Sequence, residues 1–202
     1  MGIVPTIQLH RLISDGKLII EPFELMEDQT PPATIDLTLK GKVLKYNLKS
    51  YVLGKEIPEE AKEYEEIKDG VYKLAPGESA VFPVYETIGL PSTLAGLILP
   101  RSSLTRLGII VQPVYLNPGY LGHCPVVIVN HAPFEIEIPF KNSRSPRVLQ
   151  VMFFELTTKP HRIYGEGVNE KYHREDGKHS ELHKDFDIYE ILAPLAEIAD
   201  KP

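Results

Sequence analysis

Short apolar runs dominate this chain, and several alternate with polar residues at period two, the pattern of strands with one buried face. Ala33-Thr34-Ile35-Asp36-Leu37-Thr38-Leu39 alternates cleanly, with Asp36 on the face opposite Ile35, Leu37 and Leu39. That placement suits an ordinary solvated strand aspartate as well as a functional one. Phe134-Glu135-Ile136-Glu137-Ile138 alternates in the same way. Further strands are predicted over Leu18 to Ile20, Lys42 to Asn47, Val71 to Leu74, Ser79 to Glu86, Leu94 to Leu99, Ile109 to Leu116, Val126 to Asn130 and Val148 to Leu156. In the last of these, Gln150 is the one uncharged polar residue. Turn sequences punctuate the runs: Ala75-Pro76-Gly77-Glu78, Asn117-Pro118-Gly119-Tyr120 and Asn142 to Pro146, with loops at Asp28 to Pro32 and Leu90-Pro91-Ser92.

Helical spacing occurs near the two ends. Ile7, Leu9, Leu12 and Ile13 predict a short helix over Ile7 to Lys17, stopped by Asp15-Gly16. Ile188, Ile191, Leu192, Leu195 and Ile198 predict a terminal amphipathic helix over Ile188 to Ala199 that Pro194 would kink or split. Pro58 to Asp69 is charged and proline-led, which predicts a short surface helix or a mobile insertion. The expected fold is all-β (mainly β), a sandwich or barrel with short N- and C-terminal helices. Residues 1–160 form the predicted single β domain. Tyr164 to Phe186 is polar, charged and glycine-containing, so 161–202 is expected to be a mobile C-terminal segment plus the terminal helix.

Charge and composition narrow the function. The 202 residues carry a formal net charge of -6 and no basic block, which disfavours nucleic acid as a partner. One cysteine, Cys124, excludes an intrachain disulfide framework and a cysteine-based zinc site. No apolar run approaches ~18 residues, so no membrane span is expected. A basic leader with an apolar core is also missing, which makes the cytoplasm the expected location.

The chemistry concentrates in Pro100 to Val114, P-R-S-S-L-T-R-L-G-I-I-V-Q-P-V. Arg101 and Arg106 carry guanidinium forks suited to phosphate oxygens, and Ser102 and Ser103 are small donors beside them. Gly108 permits a backbone shape that other residues resist. Such a cluster in an acidic protein is either a site for a small anionic ligand or a surface turn with two solvated arginines. Tyr120 fits either the core or a stacking platform. His179 and His183 could share a metal on a helix, but they lie in a polar segment without a metalloprotease pattern and read as exposed side chains. Cys124, beside Pro125 and an apolar strand, reads as a small buried residue.

Together these pieces resemble the dUTPase and dCTP deaminase superfamily, most closely in layout the dCTP deaminase branch and archaeal-type deaminase/dUTPase-like proteins. Leu12 to Phe23 resembles that branch's N-terminal helix and strand, and A-T-I-D-L-T-L the first superfamily motif, with Asp36 at its acidic position. P-R-S-S-L-T-R-L-G is a close match to the second motif, and L-N-P-G-Y-L-G resembles the third. K-Y-H-R-E-D-G-K-H-S-E-L-H-K-D resembles the segment that closes over the nucleotide.

The resemblance implies a distorted β-barrel or jelly-roll-like β-clip, usually a homotrimer with sites at subunit interfaces. It implies a pyrimidine deoxynucleoside triphosphate (dUTP or dCTP) as ligand, with Mg²⁺ bound through the phosphates and no direct protein ligand to the metal. Arg101, Ser102, Ser103 and Arg106 would bind the triphosphate and organise water, and Gln150 would contact phosphate. Backbone groups of Val114, Tyr115, Leu116 and Asn117 would read the pyrimidine edge, and Tyr120 would pack on the deoxyribose. Tyr164, Lys171 and Tyr172 would belong to the closing segment. Hydrolysis as a dUTP diphosphatase, or dCTP deaminase-like chemistry, would follow.

Four positions depart from the family pattern. Val127 stands ten residues after Asn117, where the deaminase branch carries a proton-shuttling glutamate. Asn117 replaces the aspartate with which dUTPases activate water, and losing a positioned base costs roughly 10²–10⁴-fold in rate. Ser145 stands where a turn glycine is expected, and Glu175 where glutamine is expected, which would set a carboxylate against the triphosphate. The expected alternatives are an enzyme that activates water through Asp36, Glu175 or Asp176, a catalytically silent nucleotide-binding or regulatory homologue, or a structural β protein whose arginines stitch a trimer.

Overall fold

A computed structural model of the protein describes residues 2–23, 30–166, 171–177, 179–185 and 188. After Pro5, helix α1 (Thr6–Ser14) buries Leu9 and ends at Asp15, before Gly16 at φ 66°. Thereafter the chain is built of strands: β1 (Ile19–Glu21), β2 (Ile35–Lys40), β3 (Lys42–Tyr46), β4 (Lys62–Glu66), β5 (Gly70–Leu74), β6 (Ser79–Pro83), β7 (Thr87–Gly89) and β8 (Leu94–Pro100). Helix α2 (Ser102–Arg106) follows, then β9 (Ile109–Val111), β10 (Val114–Leu116), β11 (Leu121–His123), β12 (Pro125–Asn130), β13 (Ile136–Phe140), β14 (Arg144–Glu155) and β15 (Glu175–Asp176).

The strands form sheets in the orders β10-β8-β14-β2, β4-β3-β6-β12-β9, β1-β7-β11-β15 and β13-β5. They wrap a jelly-roll-like fold without closing into a barrel. One core cluster joins them, with Phe82 and Phe153 its largest fully buried side chains. Phe82 meets Tyr72 edge-on at 5.3 Å between ring centres and stacks on Phe140 at 6.2 Å. No helix among the described residues is long and apolar enough to cross a membrane.

Several sequence expectations are corrected. Pro58 to Asp69 is neither helix nor insertion: a 3-10 turn over Glu59–Ala61 leads into β4, paired with β3 from Lys42↔Glu66 to Tyr46↔Lys62. Its apolar anchors, Ala61 and Ile67, lie at its two ends, and a charged strand suits the exposed edge of a sheet. The single strand expected over Ile109 to Leu116 is two, broken at Gln112-Pro113; β9 pairs with β12 and β10 with β8. Proline lacks the N–H that a continuing ladder needs. The Arg/Ser stretch, for which a surface turn is one of two readings, forms the short helix α2. The terminal helix expected over Ile188 to Ala199 lies outside the described residues, apart from Ile188.

Strand β2 is buried on both faces, so Asp36 (1% exposed) and Thr38 are covered rather than solvated. The covered polar face is satisfied by charge pairs. Fully buried Glu86 accepts the Thr38 N–H at 3.0 Å and the Thr38 hydroxyl at 2.8 Å, and Arg144 lies 3.3 Å away. Burial pushes the Glu86 carboxyl up, although those hydrogen bonds and Arg144 pull it down. Ser145, in place of a glycine, is used: its Oγ accepts the Leu39 N–H at 2.8 Å.

Candidate functional site: an aromatic cavity and an arginine-serine cluster

The turn after β10 carries the first wall of a cavity of about 350 Å³. Asn117 accepts the Tyr120 N–H through its carbonyl at 3.0 Å, and Gly119 takes φ 87° inside the turn. A Cβ at Gly119 would lie 2.3 Å from the Tyr164 carbonyl oxygen, and the Tyr164 N–H donates to Pro118 at 2.7 Å. The turn is thus shaped to receive the later segment. Val114, Tyr115, Leu116, Asn117 and Tyr120 line the cavity from this side, Cys124 and Val127 from the β11–β12 side, and Tyr46 from β3. Tyr164, Tyr172, Glu175, His179 and Ser180 complete it.

The described parts of the C-terminal segment pack on the β body. Strand β15 runs parallel to β11, with Gly122↔Glu175 and His123↔Asp176 in register. A Cβ at Gly122 would lie 2.9 Å from the Glu175 backbone. Tyrosine hydroxyls hold the backbone: Tyr164 accepts the Tyr172 N–H at 3.0 Å, Tyr172 that of Glu181 at 2.8 Å, and Tyr46 that of Ser180 at 3.2 Å. Asp176 points toward Lys40 and Lys42. Burial alone would raise its carboxyl, but its hydrogen bond to Lys40 and the two lysine charges hold it below the usual range. Lys171 pairs with Asp185 and lies 5.6 Å over the Tyr172 ring.

Inside the cavity the Tyr120 hydroxyl donates to Glu175 Oε1 at 2.9 Å. Burial first, then Cys124 and Glu175, push the Tyr120 phenol far above its ordinary value. Burial and Glu175 likewise push the Cys124 thiol up. Both side chains therefore stay protonated, and Cys124, 2% exposed, is no ready nucleophile. His179 lines the cavity, with burial and Lys62 lowering its ring value, whereas His183 sits in the 3-10 turn Leu182–Lys184. Among the described residues no group of three or more His, Cys, Asp or Glu side chains could hold a metal.

The Arg/Ser cluster is a second structure. Arg101 Nε lies 3.2 Å from Asp36 Oδ2, and Arg101 Nη1 donates to the Arg147 carbonyl at 3.1 Å. Gln150 pairs across the sheet with Asp36 and with Leu99, and its Nε2 donates to the Pro100 carbonyl at 3.0 Å. Burial raises the Asp36 carboxyl, against the pull of Arg101 and Arg147. Ser102, Ser103 and Arg106 are exposed on α2.

The residues predicted from sequence therefore fall into two groups. Asp36, Arg101 and Gln150 meet at the start of α2, and none of them lines the cavity. Val114 to Asn117, Tyr120, Tyr164 and Tyr172 surround the cavity, while Lys171 stands beside it on Tyr172. Strand β8 links the groups: Gly96 to Ile98 pair with β10, and Arg101 directly follows the strand's last residue, Pro100. Glu175 lines the cavity as well. Tyr46 and Ser180 escaped the sequence reading, and His179, expected to be exposed, is partly buried against the cavity, because only the folding of the C-terminal segment onto β3 brings them there.

Residues 3–156 match the dCTP deaminase-like family. A protein of Dictyoglomus thermophilum described as "dCTP deaminase, dUMP-forming" is 30% identical over 185 residues, covering 88% of this chain and 93% of that protein. One of the same description from Methanothermobacter thermautotrophicus is 28% identical over 171 residues, covering 82% of this chain and 85% of its own. The crystal structure of 2'-deoxycytidine 5'-triphosphate deaminase from Agrobacterium tumefaciens shares the fold, with a TM-score of 0.58 at 23% identity over 75% of this chain. The match spans about half of that structure, 47% of its chain. With the second motif on α2, the third on the turn after β10 and a match running through most of the β body, the chain belongs to the dCTP deaminase-like family.

Proposed function

We propose that this chain binds and processes pyrimidine deoxynucleoside triphosphates, dCTP or dUTP, in nucleotide metabolism in the cytoplasm. The observation that carries this reading is the aromatic cavity beside the β10 turn, joined through β8 to a cluster of two arginines and two serines. The cavity lies at the lower end of the range for small-molecule sites, about 300–1,000 Å³. Its aromatic walls suit a planar ring, and in this reading backbone groups of Val114 to Asn117, which line the cavity, contact the ring's edge. Tyr120 packs on the sugar. Arg101, Ser102, Ser103, Arg106 and Gln150 hold the triphosphate, whose charge matches guanidinium forks.

No residue of the cluster lines the cavity of its own chain, which supports a site completed between protomers, as in a homotrimer. Mg²⁺ belongs to this reading as an ion carried by the phosphates, where it neutralises their charge. The chain's own part is to orient the phosphates through the cluster and the ring through the cavity.

Water activation requires a base other than Asn117 or Val127. Asp36 and Glu175 are the carboxylates placed in the two groups, and Asp176 is engaged by Lys40 and Lys42. A second reading, a catalytically silent nucleotide-binding homologue, draws on the fact that Asn117 and Val127 both line the cavity and neither transfers a proton. Incubation of the purified chain with Mg²⁺ and either dCTP or dUTP, with products resolved by chromatography, separates the two. Release of dUMP or dUTP from dCTP, or of dUMP and pyrophosphate from dUTP, establishes the enzyme. A raised melting temperature without turnover establishes the binding protein. Neither turnover nor a shift overturns both readings.

A further inference from the structure

The aromatic cavity contains one carboxylate. Among the described residues that line it, Glu175 is the only aspartate or glutamate. Its position is built in: the backbone is fixed by the β15–β11 pairing, the side chain by the Tyr120 hydroxyl at 2.9 Å, and the residue is 4% exposed. Tyr120 remains a protonated phenol and therefore the donor of that bond. The Cys124 thiol beside them is neutral, so it brings no second negative charge.

Resting on the reading that this cavity takes a pyrimidine, we propose that Glu175 is its specificity-determining residue, accepting a hydrogen bond from a ring amino group and rejecting an oxo group at the same position. A glutamine amide both donates and accepts, so it serves either substituent. A carboxylate offers acceptor oxygens alone. An amino group turns N–H toward it; an oxo group turns lone pairs toward an ionised carboxylate on a residue 4% exposed, where the repulsion is poorly screened. The substituent that distinguishes cytosine from uracil is such an amino-for-oxo exchange. The cavity is thus biased to the amino-bearing ring, and the bias is carried by a residue distant in sequence from both the turn and the arginines.

The test is calorimetric titration of the full chain, wild type and Glu175→Gln, with the α,β-imido analogues of dCTP and dUTP in the presence of Mg²⁺. Wild type is expected to bind the cytosine analogue about tenfold or more tightly than the uracil analogue, the scale of one charge-assisted hydrogen bond. Glu175→Gln is expected to bring the two within about threefold, chiefly by tightening the uracil analogue. Equal binding by wild type overturns the inference alone, whatever the variant's stability, and so does a folded variant that keeps the wild-type preference. Binding of neither analogue by wild type overturns the pyrimidine reading and the inference with it.

Discussion

Arg101 Nε lies 3.2 Å from Asp36 Oδ2, an ion pair that joins the residue after β8 to the start of β2 across the intervening strand β14. Gln150, on β14, lies between them and ties itself to Pro100. The arginine is partly exposed and the aspartate is buried, so the pair presents a guanidinium from a fixed base.

The cost of that arrangement falls on Asp36. Its carboxyl is raised by burial, so the folded chain holds this proton more tightly than the unfolded chain does. Stability from this group is complete below the unfolded value and is lost as pH rises through the raised folded one. Asp36→Asn removes the titration while keeping an oxygen for Arg101. Urea unfolding is expected to show the variant gaining on wild type as pH rises above about 4, the unfolded value, through the raised folded one. A variant that falls further behind wild type over that interval contradicts the sign.

Glu86 is a structural carboxylate outside the cavity. Glu86→Ala strands the Thr38 N–H and hydroxyl in a covered position and removes the anion beside Arg144. The expected loss is about 3 kcal/mol of unfolding free energy. Glu86→Gln keeps an acceptor and is expected to lose less. Denaturation midpoints of the two variants check the order.

Gly119 couples the turn to the C-terminal segment. A side chain there meets the Tyr164 carbonyl at 2.3 Å and must also adopt φ 87°. Gly119→Ala is expected to loosen the segment at a cost of about 1–2 kcal/mol. Limited proteolysis should cut it faster between Tyr164 and Asp185 while the β body resists. An unchanged cleavage pattern would show that the segment is held elsewhere.

Asn117 faces the cavity from the turn, where a carboxylate could meet a water beside a bound nucleotide. Asn117→Asp is expected to raise dUTP hydrolysis about a hundredfold, the lower end of what a positioned base contributes. Product chromatography with Mg²⁺ measures it. No gain, with nucleotide binding intact, would place the attacking water away from this turn.

Local patterning already displayed much of this protein. The alternation of Ile35, Leu37 and Leu39 marked β2, and the run from Val148 marked the core of β14, because period-two burial is a property of the strand itself. The proline-glycine turn and the close spacing of Arg101, Ser102, Ser103 and Arg106 were legible for the same reason: their geometry is set within a few residues. Val127 and Asn117 stood out only against the pattern of the family the sequence resembles.

What the sequence by itself determined is therefore the mainly-β class, most of the longer strands and the clustering of two arginines and two serines after one of them. Tertiary structure decided which face of β2 is dry, since a polar alternating face is solvated or covered according to what packs on it, and here Arg101, Arg144 and Glu86 cover it. It also decided that Pro58 to Asp69 contributes an edge strand, because β3 offered an unpaired ladder that no local propensity reveals. Above all it decided where Glu175 points. A parallel pairing with β11, more than fifty residues away, turns that carboxylate onto Tyr120 and away from the arginines, and pairing at such a distance depends on the whole fold rather than on the residues beside it.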